Sequence, residues 1–231
     1  MCGRYTQNAT WDELVVYFDL IPTQAPNLQA RYNIAPTQDA PVVRLGKSGR
    51  RLSSVRWDLV PSWSKEPRTK YTLINARLES IHEKPSFRDA FRSRRCLVPA
   101  DGWFEWRTEG DVKQPYHIRP DEDGPFAFAG IWERWEGAEG TFDSFAILTT
   151  EAVASLHDIH HRMPVVITDR SRFGSWIDPA TPQDDLPGLL DMSDVAFGHY
   201  AVNRAVNNAR HDGPDCIEPL AACDVARVAP T

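Results

Sequence analysis

The sequence predicts an α+β fold: one compact domain with a mainly antiparallel, barrel-like β core flanked by short helices. Three observations carry that prediction. Strand-like runs outnumber helical ones and do not alternate with them in the βαβ manner that builds a parallel sheet. No repeat, low-complexity tract or linker divides the 231 residues, a length that can bury one sizeable core. Hydrophobic content of 42% and charged content of 25% are ordinary for a globular protein. The core is expected over about 2–220, with a tail at 221–231.

Taken in order, residues 10–20 read as a helix. Thr10-x-x-Glu13 is a capping box, Trp11, Leu14, Val15 and Phe18 share one face, and Pro22 is expected to end it. The stretch 31–36 follows a proline-containing loop and looks ordered but not helical. Strands are expected at 41–45 and 51–60 around the turn-rich Gly46-Lys47-Ser48-Gly49. Pro61-Ser62-Trp63-Ser64 breaks the pattern and sets an aromatic on a loop. Residues 72–77 read as extended, so Asn75 and Arg77 project from the same face. A short helix is expected at 86–91. A strand at 95–100, the pair Asp101-Gly102 and a strand at 103–107 together read as a tight hairpin. Within it, Glu105 lies among aromatics, and so is either on a wet face or partly buried with a raised pKa. Further strands fit 115–119, 125–135 and 142–150. An amphipathic helix at 151–158 leads into Ile159-His160-His161-Arg162-Met163-Pro164. A buried strand follows at 165–168, a helical turn at 172–177, an acidic surface excursion at 179–194 and a last strand at 198–206.

Charge is unevenly spread. The net charge is −6, yet residues 44–95 hold 14 Lys or Arg against 5 Asp or Glu, a local +9 that leaves −15 elsewhere. Such segregation makes either a basic face suited to a polyanion or a solvated surface with acids folded over it. No run of about 18 apolar residues is present, so no membrane span is expected. No basic stretch followed by an apolar core opens the chain, so a cytoplasmic or nucleoid location with reduced thiols is expected. The four cysteines are Cys2, Cys96, Cys216 and Cys223, and the spacing of the last two is not that of a zinc site. Neither metal nor cofactor is expected.

The most reactive pattern is Met1-Cys2-Gly3-Arg4-Tyr5. Removal of Met1 would leave Cys2 with an amine and a thiol on adjacent carbons, with ordinary pKa values of about 8 and 8.5. An aldehyde meeting that pair forms an imine, and the thiol closes on it to give a five-membered thiazolidine. Read alone, a Met-Cys start is an ordinary small residue at a chain end. Gly3 permits close backbone approach, and Arg4 is expected to set a cation beside the thiol.

Five separated pieces then stand in a familiar order: Met-Cys-Gly-Arg-Tyr at 1–5, Arg-Tyr-Asn-Ile-Ala-Pro at 31–36, Asn-Ala-Arg-Leu-Glu at 75–79, Gly-Trp-Phe-Glu-Trp at 102–106 and His-His-Arg-Met-Pro at 160–164. This set resembles the SOS response-associated peptidase (SRAP) family, whose members shield abasic sites in single-stranded DNA by covalent crosslinking. The resemblance implies a compact α+β fold with Cys2 at the floor of a positively charged groove. It makes Cys2 the nucleophile, Asn75 the residue that holds the adduct, Glu105 the acid/base carboxylate and His160 the imidazole beside the sugar. It makes Arg4, Arg77 and Arg162 contacts to the DNA backbone; beside them, Trp63 or Trp106 is suited by its ring to stack on a neighbouring base. The implied partner is single-stranded DNA containing abasic sites, bound by a monomer. Against the family's usual pattern, Asp58 replaces a glycine, His161 an aspartate and Asn203 a serine. Two other functions stay open on the residues alone: an N-terminal-nucleophile peptidase or amidohydrolase, possible from the same Cys2, and a non-covalent reader of single-stranded or modified DNA.

Overall fold

The computed structural model describes residues 2–22 and 27–220, so Cys223 and the expected tail lie outside the described residues. Strand β1 (Tyr5–Gln7) is followed by helix α1 (Trp11–Phe18). The helix begins where its capping box says it should: Glu13 N donates to Thr10 Oγ1 at 3.3 Å, and Thr10 N donates to Glu13 Oε2 at 2.7 Å. It ends at Asp19, whose φ of 50° is left-handed, three residues before the proline expected to stop it. Leu14 and Phe18 are buried, with Trp11 and Val15 packed beside them, as the helical spacing predicted.

Strands β2 (Arg31–Ile34), β3 (Asp39–Gly46), β4 (Gly49–Trp57) and β5 (Asn75–Arg77) precede helix α2 (Arg88–Ser93). Gly46 and Gly49 face each other across the hairpin of β3 and β4, and Gly49 takes a φ of +135°, which only glycine adopts without strain. Then come β6 (Arg95–Ala100), β7 (Gly102–Glu109), β8 (Val112–Pro120), β9 (Phe126–Gly137), β10 (Gly140–Glu151), β11 (Arg162–Pro164) and β12 (Val166–Ile167). Helices α3 (Arg172–Ile177) and α4 (Leu186–Leu189) and strand β13 (Phe197–Ala201) complete the order.

Five strands close a barrel. β10 pairs in parallel with β4, then β4 with β3, β3 with β6, β6 with β9, and β9 returns to β10. A second sheet, ordered β13-β8-β7-β1-β2, is antiparallel throughout. Alternation along the strands divides the apolar side chains between two clusters. Phe126 and Phe128 of β9 pack with Tyr5, Trp57 and Trp103, joining the barrel to the second sheet. Ala127, Ala129 and Ile131 turn the other way, against Leu14, Phe18, Phe91, Phe173 and Trp176 of the helices.

Several expectations are corrected. Residues 95–107 are not a hairpin, because β6 lies in the barrel and β7 in the second sheet. Asp101 turns the corner between them: its N–H donates to Thr6 O at 3.0 Å, and its carboxylate accepts from Thr6 Oγ1 and Asn8 N. The helix expected at 151–158 shrinks to a single 3₁₀ turn, Ala154–Leu156. The excursion at 179–194 is not all surface, since Leu186 and Leu190 are buried. The last strand stops at Ala201 and gives way to a 3₁₀ turn, Arg204–Asn207, capped by Asn203 Oδ1 accepting from Ala205 N at 2.8 Å. No helix among the described residues is long and apolar enough to cross a membrane.

Candidate active site

Pairing of β1 with β7 places Tyr5 opposite Trp103, and Phe104 N donates to Arg4 O at 3.0 Å. Continued toward the start of the chain, that register sets Gly3 opposite Glu105, and the Glu105 carboxylate is near enough to act on the adjacent Cys2 thiol. Cys2 is fully buried. Burial pushes its thiol well above the ordinary range, and the neighbouring Glu105 carboxylate raises it further. The Asn75 Nδ2 of β5 donates to Cys2 O at 2.8 Å, while the Asn75 Oδ1 is buried with no hydrogen-bond partner. One amide end thus fixes the cysteine backbone and the other remains to accept.

Glu105 is 3% exposed, and burial lifts its carboxyl to about 7. Of the two readings open from sequence, the buried one holds. Trp103, two residues away on the same face of β7, belongs to the core beside it. Trp106 projects to the opposite face, joins a small cluster with Phe104, Val202 and Val206, and donates through Nε1 to Asn207 Oδ1 at 2.7 Å. It is Trp103 and not Trp106 that shares a face with the carboxylate.

β5 and β11 flank the end of β10 on its two edges. His160, just before β11, holds Nδ1 3.0 Å from both Arg162 N and Arg162 O, a donor and an acceptor that fix the ring in either protonation state. Burial holds the imidazole below the usual histidine range. The exposed His161 ring stacks on it at 4.4 Å. Arg162 reaches across β10: it donates to Glu79 Oε1 at 2.8 Å, to Glu79 Oε2 at 2.9 Å and to Thr149 O at 2.8 Å. That fork holds the Glu79 carboxyl down at about 2. Arg77, on the same strand face as Asn75, is exposed.

Arg4 does not set its charge beside the thiol. Its guanidinium donates to Val206 O at 2.8 Å and Asn33 Oδ1 at 3.4 Å, mooring the start of the chain to the loop after β13. Asn33 completes that knot, donating to the carbonyls of Val206, Asn208 and His211 at 3.0, 3.1 and 2.7 Å. The side chains of the basic segment divide between paired and exposed. Arg95 is buried on backbone carbonyls, Arg44 pairs with Asp143 and Arg94 with Glu133, whereas Lys65, Arg68, Lys70 and Arg77 are exposed, and Trp63 is 63% exposed among them. Cys2, Cys96 and Cys216 form no disulfide. One group among the described residues offers metal-ligating atoms close together, His211, Asp215 and Cys216 within 4.8 Å, but the imidazole and carboxylate already pair with each other at 2.7 Å.

Residues 1–209 match the family model described as SOS response associated peptidase (SRAP). The chain belongs to the SRAP family. Among its relatives, the abasic site processing protein YoqW of Bacillus subtilis is 36% identical, over 94% of this chain and 99% of that one. The abasic site processing protein YedK of Escherichia coli is 32% identical, over 95% of this chain and 100% of that one. HMCES of Pongo abelii, named in the same way, is 32% identical over 82% of this chain and 65% of that one. A crystal structure of a protein from Bacteroides thetaiotaomicron superposes with a TM-score of 0.78 at 26% identity, covering 95% of this chain and 100% of its own.

The positions that depart from the usual SRAP pattern have local explanations. Asn203 caps a turn as a serine can. Asp58 is buried and accepts from Leu73 N at 2.7 Å. His161 lies exposed against His160. The sequence reading left out Asn33 and Glu79 as working parts, although both sit inside the quoted SRAP motifs. Nothing local marks either one, because their partners lie at Val206 and Arg162.

Proposed function

We propose that this SRAP protein captures abasic sites in single-stranded DNA as a thiazolidine on Cys2, once Met1 has been removed. One observation carries the reading: Cys2, the Asn75 amide bonded to its carbonyl and the buried Glu105 carboxyl converge at one point. The names of the relatives, abasic site processing proteins, support the substrate.

Abasic deoxyribose exchanges between a closed ring and an open aldehyde. His160 in its protonated form delivers a ring proton to the ring oxygen as the C1 hydroxyl releases its own to water, and the ring opens to the aldehyde. The Cys2 amine adds to the aldehyde carbon, Glu105 moves the proton from nitrogen to the departing hydroxyl, and water leaves to give the imine. A carboxyl lifted to about 7 can both donate and accept near neutral pH. The thiol sulfur then adds to the imine carbon as its proton passes to nitrogen, closing the thiazolidine. Asn75 Oδ1 accepts from the product N–H. Arg77 and Arg162 are assigned to phosphates, Trp63 and Trp106 to stacking on bases, and Arg4 to holding the backbone under the site.

The raised thiol weighs against a peptidase that keeps a resting thiolate nucleophile, and it suits a sequence in which the amine reacts first. The test is a denaturing gel after incubation with a single-stranded oligonucleotide carrying one abasic site. An adduct that survives heat and detergent is expected, lost in Cys2→Ala and when a tag is left ahead of Cys2. A full yield from protein shown by mass to retain Met1 would overturn the mechanism.

A further inference from the structure

Asp58 is a buried carboxylate that the proposed chemistry does not use. It follows β4 with 4% of its surface exposed, where an ionised group is costly unless well bonded. Its Oδ1 accepts from Leu73 N at 2.7 Å, and its Oδ2 lies 3.5 Å from Arg56 Nη2. The same guanidinium donates from Nη1 to Pro67 O at 3.2 Å, and Leu59 N donates to Leu73 O at 3.2 Å. Asp58 and Leu59 therefore close the neck of the loop at 61–72, and Arg56 ties its middle. Trp135 Nε1 holds the near side by donating to Ser64 O at 2.9 Å.

The loop so tethered carries Trp63 and Tyr71, 63% and 71% exposed, with Lys65, Arg68 and Lys70 exposed between them. These side chains border a hollow of about 380 Å³. Two residues beyond Leu73 lies Asn75, the side chain bonded to Cys2. Left untied, a loop of this length without helix or strand would spend much of its binding energy on ordering its backbone. A carboxylate accepting a backbone N–H, itself paired with a guanidinium, is among the stronger ties available.

We propose that Asp58 is a positioning residue that holds the 61–72 loop as a preformed aromatic and cationic arm along which the DNA strand enters the Cys2 site. The proposal rests on the DNA-capture reading above, and its test separates the two. Limited trypsin digestion reads the loop directly, through cleavage after Lys65, Arg68 and Lys70. Affinity for an undamaged single-stranded oligonucleotide and the crosslinking rate at saturating abasic DNA are measured on the same preparations. Asp58→Ala is expected to speed cleavage in the loop about tenfold or more, weaken affinity roughly three- to tenfold and leave the saturating rate within about twofold of wild type. Asp58→Asn keeps an acceptor for Leu73 N and is expected to restore most of the protection and affinity.

Unchanged cleavage in a folded Asp58→Ala protein overturns the proposal. So does fast cleavage with unaltered affinity, or a saturating rate that falls along with the affinity. Should Asp58→Ala lose its cooperative unfolding transition, Arg56→Gln carries the same comparison, and unaltered cleavage and affinity there overturn it equally. A wild-type protein that binds no single-stranded DNA defeats the underlying reading as well, and is recognised before any variant is compared.

Discussion

Replacing Glu105 by Gln should make the protein more stable and less active, with a pH signature that identifies the cause. The side chain is 3% exposed, and burial lifts its carboxyl from 4.5 to about 7. Between those values the folded state holds a proton that the unfolded chain has released. Stability therefore falls as pH rises from about 4.5 to about 7 and is level above that range. At about 1.4 kcal/mol per pH unit, the wild-type protein gives up on the order of 3 kcal/mol by pH 8. Glutamine keeps the shape and most of the hydrogen bonding but has no charge to desolvate, so it escapes that loss. For a chain of this size each kcal/mol moves Tm by about 2–4 °C. Glu105→Gln should then melt roughly 6–12 °C above wild type at pH 8 and close to it at pH 5. In single-turnover crosslinking the same variant should be slower by about 10²–10⁴-fold, the usual worth of a general acid–base group. Two assays on one preparation suffice, thermal unfolding across pH 5–8 and adduct formation at saturating abasic DNA. A Tm difference that does not change with pH would refute the buried-carboxyl argument. A wild-type rate in the glutamine variant would refute the proton-transfer role.

Three further outcomes follow from particular contacts. Burial holds His160 below the usual histidine value of 6.5, so any inflection it sets in the crosslinking rate should fall below pH 6.5; single-turnover rates from pH 5 to 8 should lose that inflection and fall by about 10²-fold in His160→Ala, while His161→Ala changes neither. Arg77 is exposed, so Arg77→Ala should weaken normal and abasic strands alike and reduce the slope of log affinity against log salt by about 0.7, one phosphate's share on a single strand; a slope equal to wild type would remove it from the interface. A Cβ on Gly102 would stand 2.1 Å from His117 Nε2, so Gly102→Ala should destabilise by about 1–3 kcal/mol, the range for overpacking, and an unaltered Tm would contradict the close approach of β7 to that ring.

The fold was legible where neighbours in sequence decide the structure. The Thr10–Glu13 capping box and the apolar spacing behind it placed α1, and alternation along 125–135 and 142–150 placed β9 and β10, the two longest strands. It was illegible where distant groups decide. Asp101-Gly102 has the composition of a hairpin turn, but the Asp101 carboxylate is claimed by Thr6 and Asn8, and those bonds turn the chain out of the barrel and into the second sheet. Asp19 ends α1 by a left-handed conformation that no local breaker announced. The parallel pairing of β5 with β10, which brings Asn75 to Cys2, joins segments about seventy residues apart by count along the chain and left no mark in either.

The same division runs through the candidate site, and there it bears on mechanism. Residue types and motifs named Cys2, Asn75, Glu105 and His160, but ordinary pKa values suggested a thiol already partly ionised, with Arg4 to help it. In the folded protein Arg4 is occupied by Val206 O and Asn33, and the thiol is buried beside a carboxyl. A thiol so placed keeps its proton at neutral pH and makes a poor first nucleophile. The amine of a processed Cys2 needs no such ionised sulfur to attack an aldehyde. Once the imine has formed, its nitrogen gains basicity and can take the thiol proton as the sulfur closes on carbon. In the mechanism we propose, burial of Cys2 sets the order of events, amine first and sulfur second. The same burial would restrict sulfur chemistry to an electrophile already attached at the neighbouring nitrogen, so a soluble thiol alkylating reagent is expected to label Cys2 slowly in the folded protein.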